Sequence, residues 1–268
     1  MLAYVRRGKG EPLLLLHGLG ATGRAWEPVL ERLAAERDVI ALDMPGFGAS
    51  DPLPAGVPPS AANLAAEIAH FCEREEVGIP HAAGNSLGGW VALELGRIGG
   101  ASSVTALSPA GLWRRPLGPR RVDPRRWARR LRPLISMALS SARGRRALLG
   151  TTMAHPERVP PAAARDLVLG WVDSPVYDAA NYEMRAAVFD PEEYPGIPVT
   201  VAWGELDRLV ARPREERLPA GARLLTLPGV GHTPSWDDPD LVTEVLLAGS
   251  SAAPGVGSVQ RDPRRTER

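Results

Sequence analysis

Short, almost unbroken apolar runs recur along this chain, and helical patterns separate them. The runs are "PLLLLHG" (12–18), "DVIALD" (38–43), "HAAGN" (81–85), "SSVTALS" (102–108), "PVTVAWG" (198–204) and "ARLLTLPG" (222–229). A strand with one wet face alternates apolar and polar residues; a run apolar throughout needs cover on both faces. Between the runs lie "AWEPVLERLAAE", "LGGWVALELGRI" and "DLVTEVLLAG", which carry apolar residues at helical spacing. Strand–helix–strand alternation of this kind predicts an α/β fold, a mostly parallel sheet flanked by helices. The alternation fails over 111–195, which is helix-like, arginine-rich and broken by prolines. We read 1–110 and 196–249 as two parts of one core domain, and 111–195 as an inserted helical cap, or lid. The stretch 250–268 has almost nothing to bury and is expected to be disordered.

In an open parallel sheet, reacting groups gather where strands end at their carboxyl termini. Four candidates follow predicted strands: His17-Gly18, Ser86, Asp207 and His232. Ser86 lies in "GNSLGG", a glycine-flanked serine that carries little weight alone. A serine hydroxyl needs an adjacent base to act as a nucleophile. His232 in "GVGHTPSWDDP" is the candidate base, and Asp207 in "WGELD" the candidate acid that orients it.

These segments, together with the loop "HGLGATG" and the segment "DMPGFGAS", resemble the α/β-hydrolase superfamily, in its chain order of nucleophile, acid and histidine. The resemblance spans roughly residues 2–248. It implies a strained nucleophile elbow at Ser86, with Gly84 and Gly88 small so that strand and helix can approach. It implies an oxyanion hole made of the backbone N–H groups of Leu19 and Leu87, and a catalytic triad Ser86-His232-Asp207. Glu205 is the fallback acid. His17 is read as a brace for the oxyanion loop, and Asp43, Gly46 and Gly48 as loop-shaping residues.

The resemblance implies a serine esterase working by two-step acyl transfer on a small-molecule ester or related acyl substrate, with no metal or organic cofactor. Activity should rise with pH as His232 loses its proton. Haloalkane dehalogenases and epoxide hydrolases of the superfamily carry aspartate at the nucleophile position, so Ser86 argues against both. Carbon–carbon hydrolases share a "GNS-x-GG" elbow, which Asn85 matches. They usually carry an HGGGPG-type loop and a tryptophan directly after the histidine; here stand "HGLGATG" and Thr233. A C–C hydrolase is therefore the second reading. A ligand receptor or signalling partner with little turnover is the third, from another class.

Composition narrows the setting. A net charge of +1 offers no whole-protein reason for nucleic-acid binding. One cysteine, Cys72, allows no internal disulfide, and five scattered histidines have no metal-ligand spacing. No apolar run approaches a membrane span. The expectation is a cytoplasmic protein without stable membrane insertion, a monomer or homodimer. Between Leu112 and Arg185 fifteen arginines face six acidic residues. That excess could attract an anionic substrate or surface, or simply be a solvated outer face. The latter reading puts Trp127, Leu131, Leu134 and Ile135 on the inner face, with Pro133 kinking or ending the helix. Trp113, Trp171 and Tyr182 are candidate substrate contacts.

Overall fold

The computed structural model describes residues 1–119, 124–192 and 194–251. The chain opens with strands β1 (Tyr4–Arg7) and β2 (Pro12–Leu16), then α1 (Glu27–Ala34) and β3 (Asp38–Leu42). Helix α2 (Ala61–Arg74) leads to β4 (His81–Asn85), α3 (Leu87–Arg97) and β5 (Ser103–Leu107). Five helices follow without a strand: α4 (Arg125–Arg130), α5 (Arg132–Ala138), α6 (Ala142–Leu149), α7 (Pro161–Asp173) and α8 (Tyr177–Ala186). The sheet resumes with β6 (Val199–Gly204) and β7 (Arg223–Leu227), and α9 (Pro234–Asp237) and α10 (Pro239–Ser250) follow.

The strands form one sheet in the order β1-β3-β2-β4-β5-β6-β7, parallel except for β1. The six runs expected as strands are its six parallel members. The leucines of β2 are buried on both faces: Leu14 and Leu16 join the core with α2 and α3, and Leu13 and Leu15 the core with α1 and α10. Strand β1 escapes the sequence reading because "YVRR" is exposed throughout and has no apolar run. It pairs antiparallel with β3, where its exposed side chains, arginines among them, cover the sheet edge.

A third apolar cluster lies among the helices between β5 and β6, built from Leu139, Leu149, Met153, Val159, Ala164, Val168 and Val172. Here one expectation is corrected. Trp127, Leu131 and Leu134 are exposed, and only Ile135 of the four packs inward. The inner side of α4 holds Arg125 instead, fully buried with its guanidinium over the Tyr177 ring. It donates to Asp178 Oδ1 at 2.9 Å and to the carbonyls of Val172 and Ser174. A buried arginine is tolerated when its terminal nitrogens are engaged in this way. The helix does break near Pro133, which sits in the first turn of α5. Helix α10 runs to Ser250, so the first residue of the expected tail is helical; 252–268 lie outside the described residues.

Candidate active site

Strand β4 is central, and its last residue hands the chain to α3 through Ser86. Ser86 has φ 57° and ψ −117°, a backbone conformation strained for any residue with a side chain. Its neighbours hold it there. The Ser86 N–H donates to the Leu107 carbonyl, and the Ser86 carbonyl accepts from the amides of Trp90 and Ala110. The turn also needs empty space. A Cβ at Gly84 would lie 2.1 Å from the Gly88 carbonyl oxygen, and one at Gly88 2.2 Å from that of Leu16.

Asp207 follows β6 and His232 follows β7, and the two meet. His232 Nδ1 lies 2.8 Å from Asp207 Oδ2, with the side chains 4% and 1% exposed. Asp207 Oδ1 accepts from the amides of Leu209 (2.8 Å) and Val210 (3.0 Å). Burial pushes the Asp207 carboxyl up, but the bond and charge of His232 and then the two amides pull it further down, below its ordinary 3.8. It is therefore an anion at neutral pH and can only accept, so His232 Nδ1 carries the shared proton. In a neutral ring that leaves Nε2 with a free lone pair. Nε2 is buried and has no hydrogen-bond partner among the described residues.

Asn85 joins the elbow to the histidine loop, donating from Nδ2 to the carbonyls of Leu107 (3.0 Å) and His232 (2.8 Å). The loop of β2 completes the edge. Gly18 packs so close to Ser86 that a Cβ there would lie 3.4 Å from the Ser86 Cβ, which brings the Leu19 segment beside the serine. The Leu87 N–H stands in the first turn of α3, where amides lack an acceptor within the helix. Glu205 accepts from the Gly229 N–H at 2.9 Å, and the carboxylate paired with His232 is that of Asp207. Asp43 accepts from the amides of Gly23 and Ala49, tying two loops together.

His17 is fully buried, and its tautomer follows from its bonds. Nε2 accepts from the Met44 N–H (3.0 Å), so Nδ1 carries the hydrogen and donates to the Gly18 carbonyl (2.8 Å). Burial lowers its pKa to about 4. Protonation would put a second N–H against that of Met44. The unfolded ring titrates near the ordinary histidine value of 6.5 and so binds more protons than the folded one between about pH 4 and 6.5. Stability therefore rises with pH across that window. We expect it to fall by about 2 kcal/mol from pH 7 to pH 5 through this residue. Urea unfolding at the two pH values measures it, and equal midpoints would rule it out. Asp207 acts lower: its contribution is present above the unfolded carboxyl value and is lost as pH drops through its folded one.

Of the three expected substrate contacts, Trp171 reaches the loop after β2. A Cβ at Gly20 would lie 2.9 Å from Trp171 Cδ1 and 3.0 Å from Tyr177 Cδ2, and the two rings meet edge to face. Trp113 packs edge to face on Trp90 and donates its indole N–H to the Ala187 carbonyl, pinning the segment after β5 to the end of α8. Tyr182 is turned to solvent at 62% exposure.

The sequence reading missed the role of Asp237, which lies too close to His232 in sequence to be its acid. Its buried carboxylate accepts from the amides of Gly231 (2.8 Å), Ala154 (2.9 Å) and His155 (2.7 Å). The Thr233 N–H donates to the Thr152 carbonyl. The residues on either side of His232 are thus held by 152–155 of the insertion. The doubled aspartate of "SWDDP" was a signal, since only Asp238 serves as a helix cap, on the Leu241 N–H.

A parallel sheet with a serine elbow and an Asp–His pair at its carboxyl edge defines a class, and comparison agrees. A sequence model of the alpha/beta hydrolase family matches residues 13–245, and the chain belongs to that family of hydrolases. It is 34% identical over 202 residues to the epoxide hydrolase EphH of Mycobacterium tuberculosis, covering 68% of this chain and 93% of that one. It is 41% identical over 90 residues to the pimeloyl-(acyl-carrier protein) methyl ester esterase of Aeromonas hydrophila, about a third (34%) of each chain. Among solved structures, the esterase RhEst1 of Rhodococcus sp. ECU1013 superposes with a TM-score of 0.73 at 23% identity, covering 94% of both chains.

Proposed function

We propose that this hydrolase cleaves small carboxylic esters through a serine acyl-enzyme. One observation carries the reading: a strained serine at a helix N-terminus shares a sheet edge with a buried Asp–His pair whose free nitrogen has no partner among the described residues. Ser86 Oγ attacks the ester carbonyl carbon as its proton passes to His232 Nε2. Asp207 stabilises the imidazolium. The oxyanion accepts from the Leu19 and Leu87 amides, each worth roughly 3–4 kcal/mol in the transition state. His232 then gives its proton to the departing alkoxide. Water, deprotonated by the same nitrogen, attacks the acyl-enzyme and frees the acid and Ser86. The insertion acts as a cap, and the Trp171 ring beside Gly20 offers apolar surface to the acyl group.

The name of the mycobacterial relative favours a second reading, epoxide opening. Chemistry weighs against it. A carboxylate that opens an epoxide leaves an ester, which water can cleave; Ser86 would leave an ether with no carbonyl to attack. The test is intact mass after treatment with a fluorophosphonate probe. We expect one adduct on the wild type and none on Ser86→Ala. An unlabelled, folded wild type would reject the ester mechanism, and epoxide turnover equal in both proteins would favour direct attack by water.

A further inference from the structure

The outer side of α4 and α5 carries the least explained surface of the molecule. The helical hydrogen-bond ladder runs from Trp127 through Leu131 to Ile135 despite the break, so the two helices share faces. Trp127, Leu131, Leu134 and Met137 fall along the outward side at 64%, 46%, 56% and 68% exposure. That is a ridge about 15 Å long by helical rise. Arg126 and Arg130, one turn apart, are exposed on the same side, and Arg130 lies over the Trp127 ring. From 124 to 156 the sequence has eight arginines and no acidic residue, in a chain whose net charge is only +1. Asp173 of α7 is paired with Arg132, and Asp178 of α8 with Arg125.

We propose that this face docks the enzyme peripherally on an anionic lipid surface. Large apolar side chains interleaved with arginines are the composition of an interfacial helix, whose apolar residues enter the headgroup boundary while the cations meet lipid phosphates. The side chains project from a ridge, which suits a fluid plane better than a shaped protein partner. A second copy of the chain would set arginines against arginines. No described helix is long and apolar enough to cross a membrane, so contact is at the surface.

The experiment is co-sedimentation of the whole chain with vesicles of phosphatidylcholine alone or mixed with phosphatidylglycerol. Binding should need phosphatidylglycerol and fade at high salt, where screening shrinks to a few ångströms. Arg126→Gln with Arg130→Gln should weaken it about twenty- to thirty-fold, from about fivefold per arginine. Trp127→Ser with Leu134→Ser should weaken it at least about tenfold. All four residues are exposed, so thermal unfolding and turnover of a soluble ester should stay unchanged. Equal binding to both vesicle types, no binding to either, or full binding by the variants would overturn the proposal. So would a dimer in light scattering that Trp127→Ser with Leu134→Ser dissolves, because the face would then belong to a second copy.

Discussion

Replacing Ser86 with alanine is expected to lower kcat for ester hydrolysis by about 10⁶-fold, and Asp207→Asn by about 10⁴-fold. The second figure follows from the bonds of Asp207. Its Oδ1 accepts two amides, from Leu209 and Val210, so an asparagine would keep its oxygen there and turn its NH₂ toward His232. The ring would then have to accept at Nδ1 and carry its proton on Nε2, where the base is needed. A Ser86→Ala/His232→Ala double variant should be no slower than either single one, because the residues act as a unit. Initial rates on a nitrophenyl ester, with circular dichroism for folding, measure all of this. Ser86→Ala activity within tenfold of wild type would sink the proposed mechanism.

Gly88→Ala is expected to destabilise the fold by about 3 kcal/mol or more. The new methyl would lie 2.2 Å from the Leu16 carbonyl oxygen and 2.5 Å from that of His17. These are backbone atoms of β2 and the loop after it, so neither can swing aside as a side chain could. Gly196→Ala is the control: nothing lies within 4 Å of its Cβ and its φ is not positive. Fewer unfolded conformations should make that change neutral or stabilising by up to about 1 kcal/mol. Urea midpoints compare the two, and equal shifts would show that helix–strand approach is not what Gly88 serves.

The parallel strands were legible because full burial leaves a local mark, a run apolar on both faces. The placement of Ser86, Asp207 and His232 at one sheet edge was legible for a related reason, since each follows such a run in short, recognisable surroundings. Strand β1 left no mark, because an exposed edge needs no apolar residues. Trp113 and Tyr182 show the limit of residue type as a guide: one ring braces the α8 end and the other faces solvent.

What the sequence determined by itself, then, is the layered α/β class and which residues could do chemistry. Tertiary structure decided how they are held. Asn85 reaches the His232 carbonyl across 147 residues, and Asp237 binds amides 82 and 83 residues away. It also decided that Arg125 turns inward while Trp127, Leu131 and Leu134 turn out. Helical spacing states that two faces differ. Which face meets the protein depends on the partners across the gap, here Tyr177, Asp178 and two carbonyls that together hold the terminal nitrogens of a buried guanidinium.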